Sequence, residues 1–397
     1  MQIDKDILAH QAAFQALRRD LHAHPELGFE EHRTSGLVAD KLRTWGFEVS
    51  TGIGGTGVVG TLRRGTSARS IGLRADMDAL PLQECNDFPH RSQNPGRMHA
   101  CGHDGHTTML LAAARHLSEK VGFDGTVHLI FQPAEEGGGG GNEMIRQGLF
   151  ERFPCDAVFG AHNWPGMPVG CAGLKAGPLM GSSNEFEITI HGKGAHAALP
   201  QNGIDPVLIA THLVQAFQSI ISRNNNPIEG AVLSVTQIHA GSASNIIPDH
   251  ATVSGTVRTF TLDTLDLIET RMQTLTEHIC AGFGAQAQFQ FHRNYPPTIN
   301  DAAQTDFAAG VLASVLGPDN VINPVEPTLG AEDFSFMLQQ RPGCYFFLGN
   351  GDGEHREAGH GAGPCMLHNP SYDFNDALIP LGATIWVALV KAYLPVR

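Results

Sequence analysis

Short apolar runs that end in ligand-type side chains constrain this chain more than any other feature. Residues 71–75, 127–131 and 157–161 are too short for helices and mainly apolar, as in strands buried within parallel sheets. The first runs into Asp76-Met77-Asp78, the second into Gln132-Pro133-Ala134-Glu135-Glu136, and the third into His162-Asn163. A fourth segment, Met98 through His106, carries Cys101 and His103 and leads into a helix predicted over 107–120. Ligands collect beyond the carboxyl ends of strands in an open α/β sheet. Taken singly, each feature reads as a core cysteine, a hydrogen-bonded histidine or a solvated loop. Four on one sheet edge read as a site.

The surrounding pattern fits this sheet. A helix is expected over 1–20 and another over 34–45, followed by a strand over 58–62. Gly52, Gly54 and Gly57 match a dinucleotide fingerprint formally, but a strand rather than a helix follows, so they read as a hairpin. The texture changes near Ser182. Phe186, Ile188 and Ile190 alternate with polar residues, as in a strand with one wet face. Asp205-Pro206 opens a helix, strands follow over 231–238 and 252–260, Asp263 is the expected cap of a second helix, and residues 287–291 form a last strand. The order β-α-β-β-α-β is ferredoxin-like. Residues 301–397 return to helix and buried-strand patterns, notably over 345–348 and 377–393. The expected fold is therefore α/β: a catalytic domain with a mostly parallel central sheet (1–182 and 296–397), interrupted by an inserted ferredoxin-like α+β lid (183–295). At 397 residues, two domains are the natural division.

Cys101 and His103 can reach one site, where thiolate and imidazole suit zinc and its neighbours. Glu135 and Glu136 supply one carboxylate as ligand and one as base, and a cation would offset their mutual repulsion. Rival chemistries lack their residues. The glycines 137–141 are not followed by the Lys-Ser or Lys-Thr of a phosphate loop, and no G-x-S-x-G elbow occurs. Cys101 as a nucleophile paired with His103 is the remaining alternative, and a chelator should leave such an enzyme active.

These residues resemble the hippurate hydrolases, N-acyl-amino-acid deacylases and indole-acetyl-amino-acid hydrolases. The likeness runs through His22-Ala23-His24-Pro25-Glu26-Leu27-Gly28, Arg74 through Pro81, Met98 through Thr107 and Pro133 through Gly138. It continues in Ala161-His162-Asn163, Gly192 through Pro200, Gly255 through Phe260, Gly330 through Phe334 and Leu367 through Asp376. The resemblance implies two divalent ions, drawn from manganese, zinc, cobalt or nickel. Cys101 would bridge them, His103 and His162 would complete one site, and Glu136 and His368 the other. Glu135 would be the general acid/base. It also implies that the lid residues His196, Asn245 and Arg258 contact substrate, His196 as an oxyanion donor, and that the lid forms a homodimer. Asp78 would steady a ligand from behind, whereas His22, His24, His99 and His106 have roles limited to packing and hydrogen bonding. Two features depart from relatives. Cys101 and Arg74-Ala75-Asp76-Met77-Asp78 replace the bridging aspartate and His-x-Asp of the carboxypeptidase branch, and Gln201 stands where many relatives carry histidine.

The expected reaction is hydrolysis of the amide bond of small N-acyl amino acids such as N-benzoyl or N-acetyl derivatives. A deacetylase of an N-acetylated biosynthetic intermediate is the near alternative. A metal-binding protein without catalysis is the distant one. A formal charge of −14 argues against nucleic acid or an anionic membrane as partner. No stretch approaches the ~18 apolar residues of a membrane span. Seven cysteines without a C-x-x-C, and the absence of a signal-peptide pattern, make the cytoplasm the expected location.

Overall fold

The computed structural model describes residues 2–355 and 365–396. The chain divides into two compact units. One comprises Met1–Leu179, Ile299–Glu326 and Asp333–Arg397; the other comprises Met180–Thr298 and Pro327–Glu332.

In the larger unit, eight strands among the described residues form one sheet. Its order is Glu48–Ile53, Gly57–Arg64, Gly125–Gln132, Ser70–Asp76, Ala157–Pro165, Gly343–Gly351, Ala172–Gly173, Val321–Ile322. The four central strands run parallel, with Asp76 opposite Gln132 and Arg74 opposite Gly160. That register brings the ends of three strands level at one edge. The glycine run at 52–57 is the tight antiparallel connection between the first two strands. The strand at 157 extends to Pro165, four residues beyond its apolar run, because His162 and Asn163 still pair with Phe347 and Leu348. His162 therefore sits within the strand rather than beyond it.

The helix His103–Glu119 is buried along most of its length and packs between Leu378–Tyr393 and Gln11–Ala23. Leu378–Tyr393 is apolar nearly all round, as a helix buried on every side must be. The first of the three starts at His103, not Thr107, with Gly102 as N-cap at φ 97°. The segment expected as a single N-terminal helix breaks at His10 into Lys5–Ala9 and Gln11–Ala23.

The smaller unit has a four-stranded antiparallel sheet in the order Ala231–Ala240, His250–Thr259, Ser183–His191, Gln286–Tyr295. With helices Pro206–Ser219 and Leu262–Gly282 this is the ferredoxin-like arrangement. Phe186, Ile188 and Ile190 are buried while Glu185 and Glu187 are exposed. Asp205 caps its helix by accepting from the Val207 and Leu208 N–H groups. The second helix is capped by Thr261 rather than Asp263, which instead lies in its first turn. No helix among the described residues is long and apolar enough to cross a membrane.

Candidate metal centre

Strand alternation sets the floor of the centre. Arg74 and Asp76 share one side of Ser70–Asp76, and both are buried. The Arg74 guanidinium reaches Asp76 Oδ2 at 2.6 Å, Gln132 Oε1 at 2.9 Å and Asp333 Oδ1 at 3.0 Å. Burial opposes ionisation of Asp76, yet His103, Arg74 and His106 hold it well below the usual carboxylate range. Its other oxygen lies 2.6 Å from His106 Nδ1. His106 Nε2 in turn accepts from the Asn163 backbone N–H at 3.0 Å. Both His106 nitrogens are thus committed to hydrogen bonds, so the close group Asp76, His103 and His106 is not a full ligand set.

Above this floor lie the ligand-type atoms. Those of Cys101, His103 and His162 fall within 4.8 Å of one another, and so do those of Cys101, Glu136 and His368. A third such group joins His103 with Glu135 and Glu136. Asp78 braces two of the contributing segments. Its Oδ1 is 3.1 Å from His103 Nδ1, and its Oδ2 accepts from the Glu136 N–H at 2.9 Å. The Glu135-Glu136 loop is held further by the Ala134 N–H donating to Glu31 at 2.8 Å. Ala134 (φ 50°) and His368 (φ 66°) adopt left-handed backbone beside these groups, the strained geometry that collects at functional sites. His368 comes from the far end of the chain. Its backbone N–H donates to the Ala100 carbonyl at 2.8 Å, which seats it beside Cys101.

The donor set fits divalent cations. His103 Nδ1 is turned to Asp78, leaving Nε2 buried without a hydrogen-bond partner. Burial would lower the His103 pKa, but Asp76, Asp78 and Glu136 carry it to about 10. This imidazole therefore sits in a field that attracts positive charge. His162 differs: burial, with His106 and His103 nearby, holds it well below the imidazole range. Its Nδ1–H donates to the Asn163 carbonyl at 2.7 Å, so the Nε2 lone pair faces Cys101 Sγ at 3.3 Å. Burial and the Glu136 and Glu135 carboxylates push the Cys101 thiol well up. Without a cation Cys101 would remain a thiol and a poor nucleophile; bound metal reverses that sign and makes it a ligand.

The structure thus brings together Cys101, His103, Glu135, Glu136, His162, His368 and Asp78. The other candidates belong to the smaller unit. His196 is exposed on the short strand Ala195–His196, paired with Ile246–Ile247, and its Nδ1 accepts from the Ala198 N–H at 3.0 Å. Asn245 is exposed, and its carbonyl accepts from the Ala197 N–H. Half-buried Arg258 lies on His250–Thr259 with a guanidinium nitrogen 3.5 Å from the Ser182 carbonyl. Burial lowers its pKa, opposed by Glu185. Arg74, Asp333, Asn163 and Tyr372, the layer beneath the ligands, lie in segments that carry the resemblance, but the sequence assigned them no role. Only the alternation of Arg74, Asp76 and Asp78 could have signalled part of it.

Comparison with known proteins points to one family. Residues 72–392 match the model of peptidase family M20/M25/M40. The chain is 42% identical to hippurate hydrolase of Campylobacter jejuni over 394 residues, covering 99% of this chain and 100% of that protein. It is 41% identical to thermostable carboxypeptidase 2 of Saccharolobus solfataricus over 338 residues, 84% of each chain. The departures at Cys101 and Arg74–Asp78 therefore do not separate it from every relative bearing a carboxypeptidase name. Among solved structures it resembles a dinuclear metal-binding peptidase of the M20 family from Bacillus subtilis. That match has a TM-score of 0.83 and 33% identity, and it covers 98% of this chain and 99% of that one. The chain is a metal-dependent amidohydrolase of peptidase family M20/M25/M40.

Proposed function

We propose that this enzyme hydrolyses the amide bond of small N-acyl amino acids with two divalent ions per chain and Glu135 as general acid/base. The observation that carries the reading is the pairing of two ligand groups, Cys101/His103/His162 and Cys101/Glu136/His368, through the shared Cys101. Full-length similarity to a hippurate hydrolase supports the substrate class. In this reading Cys101 would serve both ions, His103 and His162 would hold one, and Glu136 and His368 would hold the other. When bound, two such ions lower the pKa of water and polarise the attacked carbonyl.

The protein's own groups do the rest. Glu135 is buried and adjoins the ligand Glu136, so its carboxylate takes a proton from the attacking water and returns it to the leaving nitrogen. Asp78 fixes the His103 ring with Nε2 towards the centre. His196 would donate to the oxyanion, with Asn245 held near it by its carbonyl, which accepts from the Ala197 N–H. Arg258 would fork onto the substrate carboxylate. A homodimer through residues 183–295 accords with the edge position of Ala231–Ala240 and its exposed Val232 and Ile238. Manganese, zinc, cobalt and nickel all suit mixed thiolate, imidazole and carboxylate donors. A cytoplasmic location accords with seven free cysteines.

The test is release of free amino acid from N-benzoyl, N-acetyl and indole-acetyl amino acids and from an N-blocked dipeptide, with and without chelator. Chelator-sensitive release from the acyl amino acids supports the reading. Release confined to the dipeptide would replace it with a carboxypeptidase, and chelator-resistant release would restore Cys101 as nucleophile.

A further inference from the structure

Asn163 follows the ligand His162, yet its side chain points into a buried junction of three segments. The amide can be oriented only one way. Its Nδ2 lies 2.6 Å from the Cys101 carbonyl and 3.0 Å from His106 Nε2, whereas Oδ1 lies 2.5 Å from the Tyr372 hydroxyl. Nδ2 therefore donates towards the Cys101 loop and Oδ1 accepts from Tyr372. Tyr372 is wholly buried, and burial keeps its phenol protonated as a donor. It follows His368 in the segment whose backbone is pinned to Ala100.

The space for this junction is reserved by glycine. Gly102 lies between Cys101 and His103 at φ 97°, where a Cβ would stand 2.3 Å from Asn163 Nδ2 and 2.7 Å from the Tyr372 oxygen. One helical turn on, a Cβ at Gly105 would stand 2.3 Å from the Phe374 ring. Residues 372 and 374 thus press onto the start of the His103 helix at two points where no side chain fits.

We propose that Tyr372 and Asn163 form a positioning clamp that sets the spacing of the two metal sites by tying together the segments carrying Cys101, His162 and His368. Neither residue touches the reacting atoms. Asn163 fixes the Cys101 backbone through its side chain and the His162 ring through its own carbonyl. Tyr372 locks that amide from the segment bearing His368. The inference rests on the dinuclear reading of the site.

Tyr372→Phe removes one oxygen and leaves the packing. Metal affinity is measured by competition with a chromophoric chelator, using cobalt(II), and the thiolate-to-cobalt absorption band is recorded. The clamp predicts affinity about 10–100-fold weaker than wild type, a shifted band, and an apo-protein melting temperature close to wild type. Asn163→Ala should weaken affinity similarly, and the double variant should be no worse than Asn163→Ala, because both changes break one connection. Tyr393→Phe, a tyrosine remote from the centre, serves as control. Wild-type affinity and band in Tyr372→Phe, or strictly additive losses in the double variant, would overturn the clamp alone. Failure of the wild type to bind cobalt would overturn the dinuclear reading and the clamp together.

Discussion

Raising the pH should weaken the fold through His22. This imidazole is wholly buried, with Nδ1 2.8 Å from Asp104 Oδ2 and Nε2 3.2 Å from Glu84 Oε1. Two carboxylates facing both ring nitrogens require both to donate, which only the imidazolium does. Burial opposes that charge, but Asp104 and Glu84 outweigh it and carry the pKa to about 9. The unfolded value is ~6.5. The folded pKa is raised, so the stabilisation is complete below ~6.5 and is lost as the pH climbs through about 9. The difference of roughly 2.5 units, at about 1.4 kcal/mol each, bounds the effect at about 3 kcal/mol. Asp104 reports the same contact and adds nothing further. The assay is urea unfolding of wild type and His22→Gln between pH 6.5 and 9.5, followed by tryptophan fluorescence. Wild type should exceed the variant in stability at the acid end, and the gap should close by up to about 3 kcal/mol. A gap that stays constant, or widens with pH, would refute the ionic account of His22.

Two further expectations concern the centre. Asp78→Asn removes the charge that aims His103 and should weaken metal binding roughly 10–100-fold; equilibrium dialysis checks this, and unchanged affinity would contradict the bracing role. Gly102→Ala combines left-handed strain of about 1–2 kcal/mol with overpacking of about 1–3 kcal/mol. It should therefore lower the melting temperature clearly, whereas an unaltered melt would mean the junction at Asn163 yields freely.

The chain advertises its sheet because buried parallel strands leave short apolar runs, and 71–75, 127–131 and 157–161 fall inside strands at matching register. It advertises much of the ligand cluster as well: Glu135, Glu136 and His162 lie just past the ends of those runs, and Cys101 and His103 stand at the start of the helix His103–Glu119. His368 was visible only through resemblance. Its place beside Cys101 depends on a backbone hydrogen bond to Ala100 from a remote segment, which no local pattern encodes. The layer below was silent for the same cause, since Arg74 meets Asp333, and Asn163 meets Tyr372, across long stretches of chain. Local chemistry also misled at the second helix of the smaller unit. Thr261 and Asp263 are both good caps, and the chain turns helical after the first.

The central claim is that two ions and Glu135 together perform the hydrolysis. Metal-free protein titrated with manganese or zinc, with hydrolysis of N-benzoylglycine followed at each addition, tests it most directly when Glu135→Gln is titrated alongside. The account expects wild-type activity to rise until two ions are bound per chain. It expects Glu135→Gln to bind both while losing roughly 10²–10⁴-fold in turnover. Near wild-type turnover in Glu135→Gln, or full activity without metal, would contradict it.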